Sequence, residues 1–171
     1  MQVILIGYMG SGKTTVGKQL ADELALEFLD LDTYIEEVHK TSVSSIFKDK
    51  GEIFFRKAEH GSLQEILQTK DHFVLATGGG TPCYAGNMGM MLEHTQAVFY
   101  LKMGIPALVD RLFTEKEQRP LIRNISKKDF PEFIGKHMFE RSPFYSRAPH
   151  TILIDNKPLE AVVGEIKTAL S

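Results

Sequence analysis

The chain has 171 residues, 43% of them apolar and 25% charged, a size and composition at which a single domain folds around its own hydrophobic core. Its 20 basic and 22 acidic residues leave a net charge of −2 with no long run of one sign, which argues against a nucleic-acid tract or a membrane-surface helix, so that an anionic partner must be met at a local site. The one cysteine, Cys83, cannot close an internal disulfide, which fits a reducing compartment.

The chain runs from Met1-Gln2 straight into apolar Val3-Ile4-Leu5-Ile6, without the charged start of a signal peptide, and no later apolar run approaches about 18 residues. The expectation is a cytoplasmic protein with no membrane span. Five short apolar runs read as strands buried on both faces: Val3–Ile6, Phe28–Leu31, Phe73–Ala76, Val98–Leu101 and Ile152–Ile154. Helical periods separate them. Val16, Leu20 and Leu24 recur every fourth residue, and Leu159, Val162, Val163, Ile166 and Leu170 form an amphipathic stripe at the end. Strand and helix alternating in this way predict a parallel sheet covered on both sides. A helical insert over 32–68 is long enough to form one wall of a substrate pocket. Residues 112–128 show no apolar face and read as a mobile excursion. Met88, Met90 and Met91 read as helix packing.

Between the first strand and the first helix, Gly7-Tyr8-Met9-Gly10-Ser11-Gly12-Lys13-Thr14 fits G-x-x-x-x-G-K-[ST]. Such a loop turns backbone N–H groups toward phosphate oxygens at a helix N-terminus, whose partial charge favours the anion. Lys13 would reach the β and γ phosphates and the Thr14 hydroxyl would hold Mg²⁺. The third strand ends Leu75-Ala76-Thr77, with no acid where a switch or motor NTPase carries its metal-binding aspartate. The acids stand instead at the end of the second strand, in Asp30-Leu31-Asp32. Residues two apart on an extended segment point the same way, so both carboxylates would face the crevice beyond the strand ends. The alternative reading makes Asp32 the N-cap of a helix from Thr33 to His39, which does not exclude a catalytic role.

Only six basic residues are arginines: Arg56, Arg111, Arg119, Arg123, Arg141 and Arg147. The planar guanidinium suits bidentate binding of carboxylate or phosphate. Arg56 lies beside Phe54-Phe55, with Glu59 three residues on to orient it, and a plain surface ion pair is the alternative. Gly78-Gly79-Gly80 follows the third strand, either as a flexible turn or as exposed backbone donors against a ligand. The six histidines form no i, i+4 pair with a carboxylate, so no metal site apart from the nucleotide's is expected. Cys83 reads as reactive or as a buried bystander.

This ordered set resembles the shikimate kinases. The likeness is carried by the loop from Gly7 through Thr14-Thr15-Val16-Gly17 with Leu20-Ala21, by Asp30-Leu31-Asp32, by Gly51-Glu52 through Phe55-Arg56 and Glu59, and by the triple glycine. It continues through Arg119-Pro120-Leu121 and Glu140-Arg141-Ser142-Pro143-Phe144-Tyr145, spanning residues 3 to about 158. After the glycines this chain carries Thr81-Pro82-Cys83, where the family more often has an aliphatic residue. The resemblance implies a P-loop three-layer α/β fold over 1–171, with a substrate-binding insert at 32–68 and a lid at 112–128. It also implies a phosphotransferase that moves a phosphoryl group from MgATP to the 3-hydroxyl of shikimate.

On that reading Arg56 and Arg141 clamp the substrate carboxylate, and Asp32 binds ring hydroxyls and acts as base. Gly78, Gly79 and Gly80 border the ring, with Gly79 or Gly80 donating N–H. Gly10, Ser11, Gly12, Lys13, Thr14 and Thr15 hold the phosphates, and Thr14 and Asp30 serve Mg²⁺. Arg119 neutralises the transferring phosphate from the lid, while Arg111, Asn156 and Lys157 border the adenine. The expected partners are ATP and shikimate on a monomer, with no nucleic acid or membrane. The competing readings are another small-molecule P-loop kinase, acting on gluconate or a nucleoside monophosphate, and an ATP-binding regulatory module. A GTP switch is a further alternative, but Asn156-Lys157 is followed by Pro158-Leu159 and so lacks the base-selective Asn-Lys-x-Asp.

Overall fold

The computed structural model describes residues 1–119 and 121–171, so that Pro120, part of the expected lid, lies outside the described residues. The strands are β1 (Gln2–Ile6), β2 (Glu27–Asp30), β3 (Phe73–Ala76), β4 (Val98–Lys102) and β5 (His150–Leu153). They form one sheet in the order β2-β3-β1-β4-β5, and every pairing is parallel. Val3–Ile6, Phe73–Ala76 and Val98–Leu101 are buried almost completely, as continuous apolar runs in a covered parallel sheet should be.

The edge strands differ from expectation. β2 and β5 are only partly buried, because each has a neighbour on one side only and incomplete helical cover. Their limits shift as well. β2 stops at Asp30, because Leu31 already belongs to the next helix. β5 starts at His150, which pairs with Phe99 and stacks on its ring at 4.6 Å, a cross-strand contact that an apolar run cannot reveal.

The helices are α1 (Lys13–Leu24), α2 (Leu31–His39), α3 (Val43–Thr69), α4 (Asn87–His94), α5 (Ile105–Glu115), α6 (Phe130–Tyr145) and α7 (Leu159–Leu170). The expected periods place Val16 and Leu20 of α1, and Val162, Val163 and Ile166 of α7, in the core. Met88 and Met91 of α4 pack there too. α3 breaks at Gly51, which sits at φ 85° and ψ 173°, so the insert is three helical pieces rather than one rod. Among the described residues no helix is long and apolar enough to cross a membrane.

The stretch 112–128 corrects its sequence reading. α5 continues to Glu115, a 3₁₀ turn follows at Lys116–Gln118, and Leu112 and Ile122 are fully buried. These two anchors lie too far apart in sequence to show a local period, yet they join one core cluster with Leu108 and Phe130. The segment is therefore pinned on both sides of Arg119.

The chain leaves β1 for the β2 edge, returns through β3 and then crosses to β4, so β1 and β3 are neighbours whose outgoing connections diverge. The crevice beyond their carboxyl ends is where open α/β sheets bind ligands.

Candidate active site

The loop from Gly7 to Gly12 leaves β1 at this crevice and feeds the N-terminus of α1. Gly12 occupies the left-handed region at φ 85°, which a side chain tolerates poorly and which turns the chain into the helix. A cavity of about 620 Å³ opens above the loop, lined by residues 9–16 together with Asp30, Asp32, Gly78 and Gly79. The Ser11 hydroxyl is buried in this loop without a hydrogen-bond partner among the described residues. Lys13 is buried, and its ammonium donates to the carbonyls of Gly7 at 2.7 Å and Tyr8 at 2.9 Å. Burial lowers its pKa to about 8. Asp32 and Asp30 oppose that shift, and Arg119 and Arg141 reinforce it. An anion in the cavity would restore the lysine's full charge.

The two aspartates do meet at the crevice, but not as side chains of one extended segment. Asp30 ends β2 and is itself the N-cap of α2: its Oδ1 accepts from the Thr33 amide at 3.2 Å, and its Oδ2 accepts from the Thr14 hydroxyl at 3.0 Å. Asp32 is not the cap, because the helix begins at Leu31 and Asp32 lies in its first turn. Asp32 is thereby left to face the cavity. Burial raises its carboxyl to about 6, with repulsion from Asp30 and Glu59 adding and Lys13 opposing. A carboxyl tuned in this way sits near the range useful for taking a proton at neutral pH.

Glycines 78–80 owe their identity to crowding, since none of the three has a positive φ. A Cβ on Gly78 would stand 3.3 Å from Asp32 Oδ1, one on Gly79 3.0 Å from Arg141 Nη1, and one on Gly80 2.8 Å from Arg56 Nη2. Three successive backbone units thus each press against one candidate acceptor-binding side chain, so the flexible-turn reading falls away. Arg56 donates from Nη1 to Glu59 Oε1 at 2.9 Å and lies 84% covered, so it is no plain surface ion pair. Arg141 comes from α6, its guanidinium 5.8 Å from the Tyr8 ring centroid, and Tyr145 four residues on donates to the Gly79 carbonyl at 2.5 Å. One turn before Arg141, His137 Nδ1 shares a 2.7 Å hydrogen bond with the Tyr8 hydroxyl. Burial lowers His137 to about 4 and raises Tyr8 far above its usual range, so the imidazole stays neutral and the phenol keeps its proton.

Cations rim the nucleotide side. Arg111 donates to the Gly10 carbonyl at 2.8 Å. Arg119 is paired with Glu115 at 2.9 Å, and both residues line the cavity. Lys157 lines it too and pairs with Glu165 at 2.5 Å. Asn156 does not line it: at φ 56° it forms the turn that delivers Lys157.

Comparison with known proteins identifies the family. The family model described as shikimate kinase matches residues 9–171. The chain belongs to the shikimate kinase family. A curated shikimate kinase of Flavobacterium psychrophilum is 43% identical, over 99% of this chain and 98% of its own. The crystal structure of shikimate kinase from Bacteroides thetaiotaomicron superposes with a TM-score of 0.89 at 33% identity, covering 99% of this chain and 98% of that one. Shikimate kinase from Acinetobacter baumannii, solved in complex with shikimate, gives a TM-score of 0.89 at 31% identity, with coverages of 99% and 92%.

For this shikimate kinase family member, the structure brings the loop residues, Asp30, Asp32, Gly78, Gly79, Arg111, Arg119 and Lys157 to one cavity, with Arg56, Gly80 and Arg141 adjoining it through the glycine loop. Sequence reasoning missed Glu115 and the Tyr8–His137 pair. Glu115 precedes Arg119 by four residues, the helical spacing that would have revealed it, whereas Tyr8 and His137 are brought together only by the tertiary fold. Cys83 is half-buried and burial pushes its thiol up, which disfavours the thiolate.

Proposed function

We propose that the chain transfers the γ-phosphoryl group of ATP to the 3-hydroxyl of shikimate, giving 3-phosphoshikimate and ADP on the route to chorismate and the aromatic amino acids. One observation carries this reading: the consecutive glycines beside the phosphate-loop cavity are crowded by one carboxylate, Asp32, and two arginines, Arg56 and Arg141. An acceptor bearing one carboxylate and several hydroxyls matches that set, and an uncharged acceptor would leave two arginines unused. Arg56 and Arg141 hold the carboxylate, and the Gly79 and Gly80 amides border the ring. Asp32 accepts the proton of the attacking hydroxyl as its oxygen bonds to phosphorus and the bond to the β-phosphate oxygen breaks, leaving ADP.

Lys13, the Ser11 hydroxyl and the loop amides of Gly10, Gly12, Thr14 and Thr15 hold the phosphates. Arg119 neutralises charge on the group in transfer, and Arg111 and Lys157 flank the base. The metal ligands are oxygen donors alone, Thr14 and Asp30, already in contact, and among the described residues no cluster of three His, Cys, Asp or Glu offers a second cage. This donor set fits Mg²⁺, which keeps much of its water and is shared with nucleotide phosphates. Bound there, the ion would offset charge on the phosphate oxygens. The same reading makes residues 1–171 one kinase domain, with the insert at 32–68 and the lid at 112–128. The reading places it as a monomer in the cytoplasm.

ADP release with shikimate, quinate, gluconate and AMP as acceptors tests the reading. Shikimate is expected to be preferred by at least about 10²-fold in kcat/KM, because groups built to hydrogen-bond an acceptor reject analogues that leave them unpaired. Comparable turnover of gluconate or AMP would defeat it. Within the same assay, Arg56→Lys should lower kcat/KM for shikimate by about 30-fold or more, about 2 kcal/mol, since an ammonium cannot reproduce the guanidinium fork. The KM for ATP should not move.

A further inference from the structure

Among the described residues Arg56 has a single hydrogen bond, from Nη1 to Glu59 Oε1 at 2.9 Å. Its Nε is buried without a hydrogen-bond partner among the described residues, the Glu52 carboxylate standing off at 3.7 Å. One bond fixes a guanidinium at a point and leaves it able to swing, whereas two-point binding of a carboxylate requires the fork to be aimed. Something else must therefore set its plane.

Two contacts outside the acceptor site do so. The Arg56 guanidinium lies over the Tyr84 ring, with Cζ 3.9 Å from its centroid, the closest cation–ring approach among the described residues. The second contact acts through Glu59, which is only 1% exposed. A buried carboxylate keeps its place only if both oxygens are satisfied. Oε1 accepts from Arg56, and Oε2 accepts from the Thr81 hydroxyl at 2.9 Å. Thr81 is in turn fixed: its carbonyl accepts from Asn87 Nδ2 at 2.9 Å, and the Asn87 side-chain oxygen accepts from His60 Nδ1 at 2.7 Å. Thr81 and Asn87 are wholly buried. Because His60 adjoins Glu59 on α3, the bonds close a ring that ties α3 to the turn after the glycine loop and to the start of α4.

We propose that Thr81 and Tyr84 are positioning residues for Arg56, Thr81 by holding the second oxygen of Glu59 and Tyr84 by stacking on the guanidinium face, so that the arginine is pre-aimed at the acceptor carboxylate. The inference rests on the acceptor reading above. It also gives a use to Thr81 and Tyr84, which lie beyond the glycines and which no role assigned above employs.

Steady-state kinetics of full-length variants test it, with thermal melting run alongside. Thr81→Val keeps the shape and removes the donor, leaving a buried carboxylate oxygen unpaired, and should raise KM for shikimate by about 5- to 20-fold. The kcat should change by less than about 3-fold and KM for ATP should stay put, whereas a merely structural lesion would move all three. Thr81→Ser restores the hydroxyl and should return KM to near wild type. Tyr84→Leu should raise KM for shikimate by about 3- to 10-fold, with Tyr84→Phe close to wild type because the ring face is kept. At 38% exposure, Tyr84 can lose its ring without disturbing the buried ring of bonds, so this pair decides the matter if Thr81→Val does not fold. An unchanged shikimate KM in Tyr84→Leu, or equal losses for shikimate and ATP, overturns the proposal. Failure of the wild-type protein to turn over shikimate would instead overturn the acceptor reading itself.

Discussion

Asp32→Asn is expected to lower kcat by about 10² to 10⁴ while leaving ATP binding intact, the range associated with loss of a positioned proton acceptor. Asparagine keeps the size and a hydrogen-bonding oxygen, and Lys13, Thr14 and the loop amides are untouched. The perturbed carboxyl adds two signatures. On the proposed role of Asp32 the ionised form is the competent base, so kcat/KM should rise with pH through about 6, the value to which burial and the neighbouring acids raise it, and then level off. Stability should move in the opposite sense. The folded pKa exceeds the unfolded one, so the stabilisation present under acid conditions is lost as pH climbs through about 6. At pH 7 the buried charge is a cost that asparagine removes, and the variant should be more stable by about 1–2 kcal/mol, discounted for the side chain's partial contact with solvent. Asp30→Asn should behave differently, needing more Mg²⁺ for activity and being partly rescued by it, because Asp30 touches Thr14 rather than the acceptor space. Rescue of the Asp32 variant by Mg²⁺, or a destabilised Asp32→Asn protein, would contradict this division of roles.

Arg119→Ala should lower kcat by about 10² or more with the melting temperature nearly unchanged. In the structure its guanidinium is held by Glu115, in a pair whose side chains are 34% and 40% exposed. A pair that open to water is worth about 0–1 kcal/mol, whereas a 10²-fold contribution to rate corresponds to about 2.7 kcal/mol. On the proposed role, the weak ion pair with Glu115 should therefore yield readily to phosphate oxygens when the nucleotide is bound. Because Leu112 and Ile122 anchor the segment on both sides, the movement asked of Arg119 is a side-chain exchange with a short hinge rather than wholesale ordering of a loose loop. A normal kcat in the alanine variant would place Arg119 outside the reaction.

What the sequence made legible was local. The apolar runs located β1, β3 and β4, and the glycine-lysine-threonine loop was readable because its spacing encodes a turn into a helix. The edge strands were misjudged because burial depends on neighbours that a run of letters does not name. Asp30 and Asp32 were placed in the right crevice for the wrong reason: an N-cap at Asp30 starts the helix at Leu31 and rotates Asp32 inward. The buried anchors Leu112 and Ile122 were hidden because only tertiary packing relates them. Gly78, Gly79 and Gly80 were read as a flexible turn or a donor surface, and the physical reason for them, side-chain atoms about 3 Å from where a Cβ would stand, exists only once α2, α3 and α6 converge.

The most direct test is the identity of the product. Incubation of the protein with Mg²⁺, ATP and shikimate, followed by ¹H–³¹P correlation spectroscopy, should give one new phosphate monoester coupled to the proton on C3, formed in step with ADP. Phosphorus coupled to another ring position, or ADP appearing with inorganic phosphate at a rate independent of shikimate, would contradict the account.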